Sequence, residues 1–146
     1  MAFNSIYDIA GTAMRAQTVR LNTVASNLAN ADSVSSTEKG AYHAIMPVFS
    51  TVYRKLDTGN EITGPYLGSA TVQVADLVRS DRTIEKRYEP GNPIADKKGF
   101  VYYGNVNVVE EMADMMSASR TFQTAADVIS RTNSMQQGLL RLGQSV

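Results

Sequence analysis

Glu110, Glu111 and Asp114 are the residues of this chain whose types and spacing come nearest to a chemical site. Carboxylates clustered in this way could hold a cation or relay a proton. Asn107 stands three residues ahead of Glu110, and that spacing marks a helix start, where acidic groups are favoured by the positive end of the helix dipole. The helix start accounts for all three. His43, the single histidine, lies in a β-branched and aromatic stretch and reads as structural. The basic run Arg79, Arg82, Lys86 and Arg87 is interrupted by Asp81 and Glu85, the pattern of a solvated face. Tyr102 and Tyr103 read as packing or interface residues, and Met112, Met115 and Met116 as adaptable packing groups. There is no glycine-rich phosphate loop, no G-x-S-x-G and no H-E-x-x-H. The absence of cysteine removes thiolate chemistry and disulfides. Neither catalytic, cofactor-binding nor metal-binding residues are assigned, and no enzyme or small-molecule substrate is expected.

The elements that carry these residues fall into three parts, 1–34, 35–104 and 105–146. In the first, Tyr7, Ala10, Met14, Gln17, Leu21, Val24, Leu28 and Ala31 recur at steps of three and four, a heptad-like seam with Gln17 as its polar member. Ser5 and Asp8 have the spacing of a capping box, and Asn30, Asp32 and the following serines should end the helix near Ala31. In the last part Val108, Met112, Met115, Ser119, Phe122, Ala126, Ile129, Asn133, Gln136 and Leu140 repeat the pattern, with Gly143 as its expected stop. Between them, Ala41–Lys55 and Ser69–Ser80 read as strands joined by a turn within Leu56–Pro65. Pro90-Gly91 fits a type II turn, and a short strand is expected at Gly99–Tyr103. The predicted fold is α+β: long N- and C-terminal helices paired as a coiled-coil-like hairpin, with a small central β-rich unit.

Charge separates these parts. The chain carries fourteen basic and fourteen acidic residues, which gives no net attraction to nucleic acid or an anionic membrane. Residues 5–31 hold only Asp8, Arg15 and Arg20, and residues 115–142 only Arg120, Asp127, Arg131 and Arg141. The remaining helix faces are Ala, Ser, Thr, Asn and Gln, which can be buried against protein without stranding a charge. Asn22, Asn27 and Asn30 lie in one such stretch, and Asn27, beside the seam, is expected to hydrogen-bond across packed helices. One reading is a subunit whose helices are buried inside a homo- or hetero-oligomer, where head-to-tail contacts build tubes or rings. The other is a soluble coiled-coil adaptor. On the first reading the subunit-interface residues are Tyr7, Met14, Leu21, Val24, Asn27 and Leu28 in the N-terminal helix. Their C-terminal counterparts are Met112, Met115, Phe122, Ile129 and Leu140. No stretch reaches the ~20 apolar residues of a membrane span, and the opening MAFNSIYDIAG lacks the basic and apolar regions of a secretory signal.

Three stretches carry a family resemblance. YDIAGTAMRAQTVRLNTVASNLANADSV (Tyr7–Val34), with the Ser-Asn-Leu-Ala-Asn block at Ser26–Asn30, resembles the N-terminal signature of the flagellar basal-body rod and hook proteins. YEPGNPIADKKGFVYYGNVNVVEEM (Tyr88–Met112) and MSASRTFQTAADVI (Met116–Ile129) are similar to its short, proximal-rod members. Gly104 stands where that pattern has proline. The resemblance implies a structural part of the motor's drive shaft, assembled through its terminal helices and supporting motility. It implies export through the flagellar type III apparatus without signal cleavage, and a place in the rod within the periplasm. The partners it implies are copies of itself, other rod proteins, the MS ring and the rod adaptor, with no cofactor and no nucleic acid.

Overall fold

The computed structural model describes residues 2–53 and 70–144, with side chains for 4–53 and 70–143. Two helices dominate it: α1 at Ala2–Ala29 and α2 at Val108–Gln144. At ~1.5 Å per residue they are about 42 and 55 Å long. They run antiparallel, because Tyr7 Oη donates to Gln136 Oε1 at one end while Asn27 Nδ2 donates to Glu111 Oε1 at the other. The paired terminal helices and the central antiparallel sheets give the α+β hairpin architecture that the sequence predicts.

Helix α1 begins at Ala2, so Ser5 and Asp8 lie inside the helix rather than at its cap. The antiparallel α2 reaches past Gln136 and supports these first turns, which removes the need for a start at Ser5. The other end of α1 closes as expected. Asn30 Nδ2 donates to Ser26 O at 2.8 Å, and Ser33 donates to Asn30 O through both its N–H and its hydroxyl. Asn107 caps α2, its Oδ1 accepting from the N–H groups of Val109 and Glu110. The far end of α2 continues through Gly143 to Gln144.

The β unit comprises β1 (Val34–Ser35), β2 (Ile45–Tyr53), β3 (Ala70–Arg79), β4 (Glu85–Tyr88) and β5 (Phe100–Tyr103). Strands β2 and β3 form an antiparallel two-stranded ribbon that packs along α1. Both are edge strands, which is where Pro47 is tolerated. The register passes from Val48↔Asp76 to Phe49↔Val74, so Ala75 is an extra residue and the predicted alternation of β3 changes phase there. The turn expected within Leu56–Pro65 lies outside the described residues.

A second sheet has the order β1-β5-β4 and contains the expected strand at Phe100–Tyr103. Val101 at its centre is completely buried. The turn at Glu89–Asn92 is closed by Asn92 N–H on Glu89 O, but Gly91 does not take the positive φ that a type II turn requires. The left-handed position belongs to Gly99, at φ 80°. Asp96 builds that second turn, its Oδ1 accepting from the N–H groups of Lys98 and Phe100. These donors hold the Asp96 carboxyl below its ordinary range.

Candidate assembly surface

Helix α1 is flanked by both α2 and the ribbon, and its buried surface is broader than one stripe. Ala10 and Val24 are buried on the predicted seam, but Ala16 and Thr23, off that seam, are buried too. Tyr7, Met14, Leu21 and Leu28 are half-buried. On α2 the buried layers are Ala118 (0% exposed), Ala125 and Thr132, alternating with half-buried Met115, Phe122, Ile129 and Gln136.

The packed face of α2 is broader than the predicted seam: Ala118, Ala125 and Thr132 are buried beside the half-buried Ser119 and Ala126, while Asn133 is exposed. Asn27 holds Glu111 and Arg20 holds Asp114, which fixes the rotation of α2 at its start. Met112 and Leu140 consequently lie outside the intramolecular seam, at 55% and 67% exposure, while Met115, Phe122 and Ile129 stay within it.

Asn27 is the node that joins the parts. It is 1% exposed, and all its amide capacity is used within the chain. Nδ2 donates to Ile45 O and to Glu111 Oε1, each at 2.9 Å, while Oδ1 accepts from Ile45 N and Tyr42 Oη at 2.9 and 3.0 Å. One side chain thus binds both backbone groups of the first ribbon residue as a neighbouring strand would. The same group ties ribbon and α1 to α2, so its hydrogen bonds are made within the chain, with partners that spacing could not disclose. Glu111, drawn into this contact, has its carboxyl pushed up by burial, an effect that the Asn27 hydrogen bond opposes.

Asn105 forms a second node that the sequence reading missed. Its Oδ1 accepts from Ala44 N at 2.7 Å, and its Nδ2 donates to Ser80 O and Arg82 O. Ser80 N–H reaches Ala44 O, and His43 Nδ1 lies 3.1 Å from Ser80 O, so His43 is a structural neighbour of this node. The available signal was the repeated asparagine in Asn105-Val106-Asn107, of which only Asn107 was given a role. Gly104 fits beside it because a Cβ there would stand 3.0 Å from Tyr42 O.

The carboxylates at the α2 start are engaged structurally. Arg82 pairs with exposed Glu110, and Arg20 of α1 reaches Asp114 at 2.6 Å. Among the described residues no group of three His, Asp or Glu side chains is placed to hold a metal. Lys86 and Arg87 lie over the rings of Phe100 and Tyr103 at 3.9 and 4.5 Å. Tyr103 Oη donates to Glu89, and this bond with that from Asn92 holds the Glu89 carboxyl low. The basic run on β4 and its approaches is exposed, as a solvated face should be.

Part of the exposed surface among the described residues is apolar. Val109, Met112 and Met116 form an exposed stripe near the α2 start, and Met135, Leu139, Leu140 and Leu142 another near its end. The ribbon adds Met46, Val48, Leu77 and Val78. Contiguous exposed apolar stripes are of the kind that proteins use for contacts. No helix among the described residues is long and apolar enough to cross a membrane.

Comparison with known proteins agrees with this geometry. Residues 8–35 match the family described as flagella basal body rod protein, and residues 97–142 match the flagellar basal body rod FlgEFG protein C-terminal family. The two matches cover most of α1 and α2. The chain is 45% identical to the flagellar basal-body rod protein FlgC of Escherichia coli, over 99% of this chain and 100% of the relative. It is 43% identical to that of Salmonella typhimurium over the same shares, and 31% identical to that of Borreliella burgdorferi over 97% of each. The helical hairpin, its uncharged faces and this nearly end-to-end similarity agree, and the chain belongs to the FlgC family of flagellar basal-body rod proteins as a structural subunit of the proximal rod, not an enzyme.

Proposed function

We propose that the chain builds the rod through the outer faces of its terminal-helix hairpin, with the ribbon setting contacts to adjacent subunits. The observation that carries this reading is the exposure of Met112, Met116, Leu139, Leu140 and Leu142 on a helix that holds only four charges over residues 115–142. Burying these side chains against neighbouring subunits stabilises the polymer by roughly 1.5–3 kcal/mol for each large apolar group fully covered. Torque then passes through interlocked helices. The neighbours on this reading are copies of the chain, other rod proteins, and the MS ring with its rod adaptor. The subunit travels through the flagellar type III export apparatus without signal cleavage and works in the periplasmic part of the rod. Val24, buried on α1, supports that surface from beneath, whereas the half-buried Tyr7, Met14, Leu21, Leu28, Met115, Phe122 and Ile129 line its border.

Two substitutions on the outer stripe, Met116→Glu and Leu139→Glu, test the reading. The isolated variants should keep the circular dichroism of the parent, since both positions are solvent-facing. Cells carrying them should not swim, and electron micrographs should show basal bodies lacking a complete rod. Normal swimming with both substitutions would reject assembly through this face. An intact rod after deletion of the gene would instead favour a soluble coiled-coil adaptor.

A further inference from the structure

A two-stranded ribbon has two edges, and an edge of unpaired N–H and C=O groups is a template for another strand. Ala44 O accepts from Ser80 N at 2.7 Å, so Ala44 faces the β3 side, and Ile45 turns the other way, toward Asn27. The bulge lies in β3, so β2 keeps its alternation throughout. Pro47, Phe49, Thr51 and Tyr53 therefore turn their backbone groups outward with Ile45. Val52 faces β3, where its carbonyl also accepts from Thr71 Oγ1.

The β3 edge is blunted. Asp76 Oδ1 accepts at 2.7 Å from Leu77 N, the outward N–H of the residue opposite Pro47, and the bulge at Ala75 breaks the line of the strand. The β2 edge is guarded only at its start, where Asn27 occupies Ile45 and Pro47 has no N–H to offer. From Phe49 to Tyr53 it is open. Among the described residues no group bonds to the outward N–H and C=O of Phe49, Thr51 and Tyr53. The side chains of this stretch are exposed, Phe49 at 38% and Tyr53 at 68%.

What this edge places opposite itself selects the partner. Laid antiparallel on a second copy about Thr51, it sets Phe49 against Tyr53 twice and Thr51 against Thr51, all on one face of the joined sheet. Aromatic pairs and threonine pairs are favourable across strands, and like charges oppose such pairing. Residues 45–53 carry no charge at all. We propose that Phe49–Tyr53 of β2 pairs with the same segment of a second copy, two-fold and antiparallel, and joins two ribbons into one sheet. Such a contact is closed, because it uses each edge once and adds no third chain. It is a dimer of the unassembled subunit, separate from the helix faces that carry the proposed rod assembly, and it covers an edge that would otherwise template open-ended strand association.

Cysteine linkage in the full chain tests this, since the chain has no cysteine of its own. Opposed residues of an antiparallel pair have Cα atoms about 4.5–5.5 Å apart, within the span of a disulfide. On mild oxidation Thr51→Cys should give a covalent dimer as its main product. Ser50→Cys, which the two-fold sets opposite Val52, should stay largely unlinked. Sedimentation of the parent should show a reversible dimer, and Thr51→Lys, a solvent-facing change that sets two like charges together, should abolish it. Met116→Glu and Leu139→Glu should leave the dimer intact, which separates it from the rod-assembly face. A monomeric parent, a dimer that survives Thr51→Lys or is lost with the helix variants, or a folded Thr51→Cys chain that links no better than Ser50→Cys overturns the proposal. Swimming and basal-body micrographs report on the rod independently of every one of these outcomes.

Discussion

Asn27 on α1 and Glu111 on α2 are joined directly, the amide Nδ2 donating to the carboxylate Oε1 across 2.9 Å. The same amide completes the first residue of the ribbon, so one buried side chain fixes the relative placement of three elements. A family signature that looks like a poor helix sequence is therefore the point at which the subunit is tied together.

Replacing Asn27 with Ala should be costly. It leaves Ile45 N and Ile45 O without their partners and removes one partner each from Tyr42 Oη, which keeps Ser26 Oγ, and from Glu111. Each buried group left unsatisfied costs about 1–3 kcal/mol, so a loss of about 3 kcal/mol or more is expected in urea unfolding. A loss below about 1 kcal/mol would show that water replaces these bonds freely.

Glu111→Gln should act in the opposite direction. Burial raises the Glu111 carboxyl above its ordinary value of 4.5, so the folded chain binds this proton more tightly than the unfolded chain. The resulting stability is fully present below the unfolded value and is lost as pH rises through the folded one. Glutamine keeps the Oε1 acceptor for Asn27 and does not ionise. The variant should match or exceed the parent near neutral pH and lose less stability as pH rises from 4.5, as urea midpoints measured across that range would reveal. A variant clearly weaker than the parent at neutral pH would mean that the charge on Glu111 is needed.

Gly99→Ala tests the turn before β5. The backbone there has φ 80°, and an added Cβ would meet Tyr88 Cε2 at 2.9 Å and Pro90 Cβ at 3.3 Å. Left-handed geometry costs a residue with a Cβ about 1–2 kcal/mol, and the ring contact adds to that. Thermal unfolding should fall accordingly, whereas Gly91→Ala, with open space at its Cβ and no positive φ, should change little.

Asn107→Ala removes the cap of α2. Two N–H groups lose their acceptor, and caps of this type are worth about 1 kcal/mol. Amide exchange at Val109 and Glu110 should accelerate more than at Ala118 or Ala125. Equal acceleration along the helix would mean that the cap governs the whole hairpin.

The sequence alone determined the two terminal helices and their three-four period, the Asn107 cap, the closing role of Asn30 and the strand pair of the ribbon. Each depends on neighbours within a few residues or on a simple period, so local chemistry suffices. It also determined the low charge of residues 5–31 and 115–142, which is compatible with burial against other protein. Only the tertiary structure decided which α2 residues pack inward. The period admits neighbouring stripes, and the Asn27–Glu111 and Arg20–Asp114 contacts fix the rotation that buries Ala118, Ala125 and Thr132 and leaves Met112, Asn133 and Leu140 exposed. The strands β1 and β4 were likewise settled by β5, which supplies both with backbone partners from distant parts of the chain. Asn105 and the full set of Asn27 bonds depend on groups far apart in sequence, and a buried amide finds its partners only when the chain has folded around it.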